Sequence, residues 1–191
     1  ADAADGDDGG WDWEHELPRE VAWRELLSAQ IDGRPFGVLQ IIESLGMRAL
    51  EIPTHPRDGI SLEALALACE REKVKACLVM PNVSNPLGSM MPDAAKKRLV
   101  QLLAAHGIPL IEDQVYGDLH FARAHPRAAK AYDRQGMVML CSSFSKTLAP
   151  GFRVGWVAPG RYRAQVEKLK FVSSVGNPEL LQLTVAEFLE N

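Results

Sequence analysis

Short apolar runs alternating with helix-patterned stretches limit this chain to one kind of architecture. The run ACLVM at residues 76–80 has no polar position on either face, which suits a strand covered on both sides. MRALEIP precedes it, and IPLIED, MVMLCS and FRVGWVAP follow. Helical patterns separate these runs. Phe36–Leu45 sets Leu39, Ile42 and Glu43 at helical spacing and meets Gly46 as a stop. Ser61 is placed to cap SLEALALACEREK. A helix over Pro92–His106 gathers Leu99, Leu102 and Leu103 into one stripe, with proline at its start and Gly107 at its end. Two more helical patterns centre on Leu169 and Leu181. This order predicts an α/β fold, a three-layer α/β/α sandwich with a mostly parallel sheet.

The main domain is expected over residues 36–191, preceded by a linker or disordered stretch at 1–10 and a lead-in at 11–35. The acidic, glycine-rich ADAADGDDGG has too little apolar surface to pack. Within the lead-in, Pro18 followed by Val21, Leu26 and Leu27 predicts a short helix, with Trp11, Trp13 and Trp23 as packing anchors. The formal charge of -4, with dispersed basic residues, argues against a nucleic-acid surface on this chain. Cys69, Cys77 and Cys141 are too few for a disulfide framework and read as buried thiols. His55, His106, His120 and His125 have no metal-ligand spacing. With no secretory leader pattern and no apolar run long enough for a bilayer, the expected setting is the cytoplasm, away from membranes.

In a parallel α/β sheet, chemistry collects at the C-terminal ends of the strands. Three such tips carry polar residues here: Asn82 to Gly88, Asp113 to Tyr116, and Ser142 to Lys146. Lys146 stands in CSSFSKTLAPGFRVGW, where serine hydroxyls and the planar fork of Arg153 suit phosphate oxygens. A nucleophilic amine beside an anion cradle is what a phosphorylated aldehyde cofactor requires. Asp113 at the end of PLIED can keep a pyridinium nitrogen protonated, so that the ring stays an electron sink. Tyr116 and Asn85 can hydrogen-bond the 3'-oxygen of such a ring. Each also has a plainer reading. Asn85 before Pro86 is a turn signal, as is Gly88, and Asp113 could be a strand-terminal turn residue. Glu112 and Asp118 read as cap or surface carboxylates, and Met90 and Met91 as packing residues.

The stretches PNVSNPLGSMMP, PLIEDQVYGDLHF and SSFSKTLAPGFRVGWVAPG resemble the aminotransferase class I/II family of fold-type I pyridoxal-phosphate proteins. They are most similar to the aminotransferase-like domain of MocR/GntR-type transcription regulators. The resemblance runs over about Phe36 to Glu190. It implies that Lys146 forms the Schiff base with pyridoxal 5'-phosphate and moves a proton at the substrate Cα. It also implies that Asp113 holds the pyridine nitrogen and that Asn85 and Tyr116 contact the 3'-oxygen. Ser143, Ser145 and Arg153 match positions near or at the phosphate. Transfer of an amino group between an amino acid and a 2-oxo acid, in a homodimer, is the activity so implied. Two alternatives are a cofactor-sensing effector domain of a regulator, and an inactive fragment with a structural role.

The chain departs from the family pattern in places. The glycine- and serine- or threonine-containing turn that supplies backbone donors to the phosphate is not found upstream of Phe36, and Pro35 stands where a stacking aromatic often occurs. The family's small domain and its carboxylate-binding arginine have no counterpart up to Asn191, and no winged helix is found before the domain.

Overall fold

The computed structural model describes the backbone of residues 20–23, 30–31 and 34–35, and all of residues 38–190. Its strands are β1 (Glu20–Trp23), β2 (Gln30–Ile31), β3 (Arg34–Pro35), β4 (Arg48–Glu51), β5 (Thr54–His55), β6 (Gly59–Ile60), β7 (Ala76–Val79), β8 (Leu110–Asp113), β9 (Val138–Ser143) and β10 (Gly155–Ala158). Its helices are α1 (Val38–Ser44), α2 (Leu62–Arg71), α3 (Asp93–Ala105), α4 (Arg163–Ser174) and α5 (Glu179–Glu190). A six-stranded sheet runs in the order β10-β9-β8-β7-β1-β4. Every neighbouring pair is parallel except β9 with β10. The expected mostly parallel α/β sheet is therefore what the chain forms.

Strand β7 shows why. All four of its residues are buried, because its two faces enter different packing layers. Cys77 and Val79 join Leu65, Leu99, Leu103, Leu110 and Val138 in the larger core under α2 and α3. Ala76 and Leu78 face the other way, toward Ile42 of α1, with Ile111 packed alongside. Strand β8 alternates likewise. Leu110 and Glu112 are buried, and Ile111 and Asp113 are partly so.

The helix ends follow the residues that were expected to set them. The Ser61 hydroxyl accepts a hydrogen bond from the Ala64 N–H at 3.2 Å. Gly46 adopts φ +66°, and the Gly46 and Met47 N–H groups donate to the carbonyls of Glu43 and Ile42. Gly107, at φ +67°, does the same with Ile108 on Ala104 and Leu103. Both are left-handed terminations that satisfy the last free carbonyls of a helix. Pro92 sits one residue earlier than a first-turn proline, at the cap of α3 with ψ 148°.

One expectation is overturned. The short helix after Pro18 is not formed at Glu20–Trp23, which is β1, hydrogen-bonded in parallel between β4 and β7. A slot between two parallel strands outweighs the weak helix preference of so short a segment. Residues 24–29, like Trp11 and Trp13, lie outside the described residues, as do 1–10. The helix expected from Phe36 is found at Val38–Ser44. Patterns centred on Leu169 and Leu181 form α4 and α5, whose side chains Phe171, Val172, Leu180, Leu183, Phe188 and Leu189 reach solvent. The three cysteines are free thiols. Among the described residues no helix is long and apolar enough to cross a membrane, and no cluster of side chains could hold a metal ion.

Leu99 is fully buried between α3 and the sheet, so Leu99→Ala should cost about 2–5 kcal/mol. Loss of the cap in Ser61→Ala should cost about 1 kcal/mol. Urea unfolding of both variants against wild type measures the two; a cost for Leu99→Ala no larger than for Ser61→Ala would contradict this packing.

Candidate functional site

Parallel pairing of β7, β8 and β9 brings the three polar tips to one edge of the sheet. Val79 lies opposite Glu112, and Asp113 opposite Cys141. The loop after β7 is clamped at its base by two buried serines. The Ser84 and Ser89 hydroxyls hydrogen-bond each other at 2.5 Å, and the Ser89 N–H donates to the Ser84 hydroxyl at 3.0 Å. Asn85 projects from this closed loop, and its Nδ2 donates to the Tyr116 hydroxyl at 3.4 Å. On the other side of Tyr116, the Lys146 ammonium lies over the ring at 5.5 Å from its centre, within cation–π range. Residues distant in sequence, Asn85, Tyr116 and Lys146, thus form one cluster.

Asp113 and Ser143 line a cleft of about 480 Å³ whose wall does not include Asn85, Tyr116, Ser145 or Lys146. Its walls are largely apolar: Val38 and Ile41 of α1, Leu78, Ile111 and Val115, with Cys141 and Ser142 from β9. The Asp113 carboxylate accepts one hydrogen bond, from the Val115 N–H at 2.9 Å, and forms no ion pair with a described residue. Burial raises its carboxyl above the usual aspartate range, the Val115 bond opposing this in part. The neighbouring Cys141 thiol is pushed up to about 11, first by burial and then by the charges of Asp113 and Glu112. It is a packing thiol and not a nucleophile.

Lys146 and Arg153 stand on one excursion between β9 and β10, closed where the Phe144 N–H donates to the Val154 carbonyl at 3.0 Å. At its start, the Ser145 N–H donates to the Ser143 hydroxyl at 3.4 Å. Arg153 ends a single helical turn at Pro150–Phe152 in a left-handed conformation, φ 51°. Its side chain is exposed and is not part of the cleft wall. Gly155 is required beside this excursion, because a Cβ there would stand 2.8 Å from the Ser142 carbonyl oxygen.

Glu112 is a cap, as expected, but a wholly buried one. It accepts from the Ala129 and Lys130 N–H groups at 2.7 and 2.8 Å. Asp118 is the exposed one, paired with His125 at 2.8 Å, and Met91 is buried, as expected. Sequence reasoning did not single out Val38, Ile41 or Cys141 as part of the cleft. The period-two rule offered a signal for Cys141, since it shares a strand face with Ser143; nothing in the sequence linked α1 to that face.

A mostly parallel α/β sheet bearing a lysine, a phenol and a half-buried carboxylate at its strand tips is the design of a fold-type I pyridoxal-phosphate aminotransferase large domain. The chain belongs to the aminotransferase class I and II family, whose model matches residues 38–191. It is 45% identical over 154 residues to an uncharacterised HTH-type transcriptional regulator, YjiR, of Escherichia coli (strain K12), covering 81% of this chain and 33% of that protein. The HTH-type transcriptional regulator NorG of Staphylococcus aureus (strain N315) is 33% identical over 152 residues, covering 79% of this chain and 34% of its own. These matches accord with the resemblance to MocR/GntR-type regulators, and the chain spans about a third of the length of these relatives. Among solved structures it is similar to LysN, the α-aminoadipate aminotransferase of Thermus thermophilus, complexed with N-(5'-phosphopyridoxyl)-L-leucine. There the TM-score is 0.76 at 27% identity, over 90% of this chain and 43% of that one. An archaeal alanine:glyoxylate aminotransferase also gives a TM-score of 0.76 at 27% identity, over 93% and 44%.

The raised Asp113 carboxyl has a consequence for stability. Folding binds its proton more tightly than the unfolded chain does, so its contribution is most favourable in acid and is lost as pH rises through the raised folded value. Asp113→Asn should therefore leave the cofactor-free chain as stable as wild type or more so at neutral pH. That advantage should fade as pH falls through the folded value toward the ordinary aspartate range. Urea midpoints at neutral and acidic pH measure this; a variant less stable than wild type at neutral pH would contradict it.

Proposed function

We propose that this chain is the pyridoxal 5'-phosphate-holding part of a regulator's effector domain, with Lys146 as the amine that binds the cofactor. The observation that carries this reading is the Lys146 ammonium over the Tyr116 ring at 5.5 Å, with Asn85 on the same phenol. The residues present fit that group. Asp113 offers a desolvated carboxylate with no ion-pair partner among the described residues, in an apolar cleft of about 480 Å³. That suits a flat aromatic ring whose one basic nitrogen must be held protonated.

When bound, the cofactor supplies an electrophilic carbon for amines and an electron sink. The chain's own residues do the rest. Asp113 would hold the proton on the ring nitrogen. Tyr116 and Asn85 would donate to the 3'-oxygen, and the phenol would keep the Lys146 amine close to the ring. Ser143, Ser145 and Arg153 would meet the phosphate, Arg153 by turning its exposed side chain inward from the 3₁₀ turn. In the second reading, transamination, Lys146 would also carry the proton to and from a substrate's Cα. That reading is favoured by the similarity to LysN, an aminotransferase, whereas the matches to regulators of 45% and 33% identity favour sensing. Amino acids and 2-oxo acids are the ligands either reading implies, and a homodimer the expected assembly.

Mixing the chain with pyridoxal 5'-phosphate should produce a visible absorbance band that Lys146→Ala lacks; an unchanged band in the variant would reject the assignment. Arg153→Ala should weaken binding by about 1–3 kcal/mol, roughly 5- to 150-fold, as a lost phosphate contact does. A titration followed at that band reads the change. Steady-state amino transfer by wild type from common amino acids would select the second reading over the first.

A further inference from the structure

Behind the cleft, on the opposite face of the sheet, polar side chains from the β7 and β8 tips converge on one stretch of backbone. Glu112, next to Asp113, is fully buried. One carboxylate oxygen accepts from the Ala129 N–H at 2.7 Å and from Gln114 Nε2 at 2.7 Å, and the other accepts from the Lys130 N–H at 2.8 Å. Two residues before Ala129, the Arg127 carbonyl accepts from Asn82 Nδ2 at 3.1 Å and from Lys96 Nζ at 2.8 Å. Asn82 and Lys96 are 1% and 2% exposed, and Asn82 stands three residues before Asn85. None of these side chains lines the cleft.

Burying a carboxylate and an ammonium is no route to stability, since apolar residues of like volume do as well or better. What directional bonds provide and an apolar core does not is a fixed position for the backbone they hold. Both neighbours of Asp113 are held in this way. The Gln114 side chain reaches back to Glu112, while its N–H donates to the Cys141 carbonyl at 2.8 Å and its carbonyl accepts from the Ser142 hydroxyl at 3.1 Å. Asp113 is left with little more than its own side-chain torsions.

We propose that the segment 127–130 is a strut that fixes the β7 and β8 tips relative to each other, and with them Asn85 and Asp113, with Glu112, Asn82 and Lys96 as positioning residues acting through it. The inference rests on the reading of Asp113 as the partner of the ring nitrogen. Among the described residues, no α1 side chain lining the cleft is charged, and the titratable groups beside Asp113 are Cys141 on β9 and Glu112 on the far face.

The test uses the full chain with carbon-13-labelled aspartate carboxyls, the Asp113 signal being assigned from Asp113→Asn. In the cofactor-free chain, Glu112→Gln should move the Asp113 titration midpoint down toward the ordinary range, because a loosened tip admits water. Gln114→Ala should do so less strongly, and it decides the matter, because it removes no charge whereas Glu112→Gln also removes a neighbouring carboxylate. Leu65→Ala, a core change in α2, controls for lost stability and should leave the midpoint in place. In the cofactor-loaded chain, Glu112→Gln should shift the pH midpoint of the absorbance band in the direction that Asp113→Asn does. Gln114→Ala matching Leu65→Ala in the cofactor-free titration overturns the proposal, whatever Glu112→Gln does. An Asp113 titration shifted in Gln114→Ala supports the strut even where wild type forms no band, an outcome that would overturn the cofactor reading alone.

Discussion

Parallel hydrogen bonding of β7, β8 and β9 is the constraint on which the rest of this molecule depends. It places Val79 beside Glu112 and Asp113 beside Cys141, so the three loops that leave the strands emerge at one edge. Parallel strands need covered crossovers, and the chain supplies α3 between β7 and β8. The helices α2 and α3 cover one face of these strands, and α1 packs on the other. Polar residues tolerated nowhere else in these strands therefore gather at the tips.

The two faces of β8 divide the labour of its tip. On one face Asp113 meets an apolar cleft, is left without an opposing cation among the described residues, and is destabilised as an anion by burial. On the other, Glu112 is wholly buried but accepts three hydrogen bonds. Burial pushes the Glu112 carboxyl up, and its donors, with Lys96 nearby, pull it back. One carboxylate accepts three hydrogen bonds and holds structure; its neighbour accepts one, from the Val115 N–H. A protein that keeps an under-satisfied charge in an apolar cleft gives up stability for function.

The family places the fold beyond argument and leaves the activity open. Relatives spanned by this chain over a third of their length are transcription regulators, while similar solved structures are aminotransferases. Under either proposed reading, Lys146, Asp113 and Tyr116 would serve the same ring.

Much of the fold was legible in the residues. The all-apolar run at 76–80 required two covered faces, Gly46 and Gly107 marked left-handed helix ends, and Ser61 marked a cap, because local backbone and side-chain chemistry decides such features. The motifs also singled out Asn85, Tyr116 and Lys146, which the structure gathers around one phenol, and Asp113, which lines the cleft. Only the tertiary structure decided that Glu20–Trp23 is a strand, since the slot between β4 and β7 is made by distant residues. It alone decided that Glu112 is buried and bound to Ala129 and Lys130, and that Val38 and Ile41 wall the cleft. Periodicity states which face a residue takes, but what waits on that face is set by segments remote in the chain.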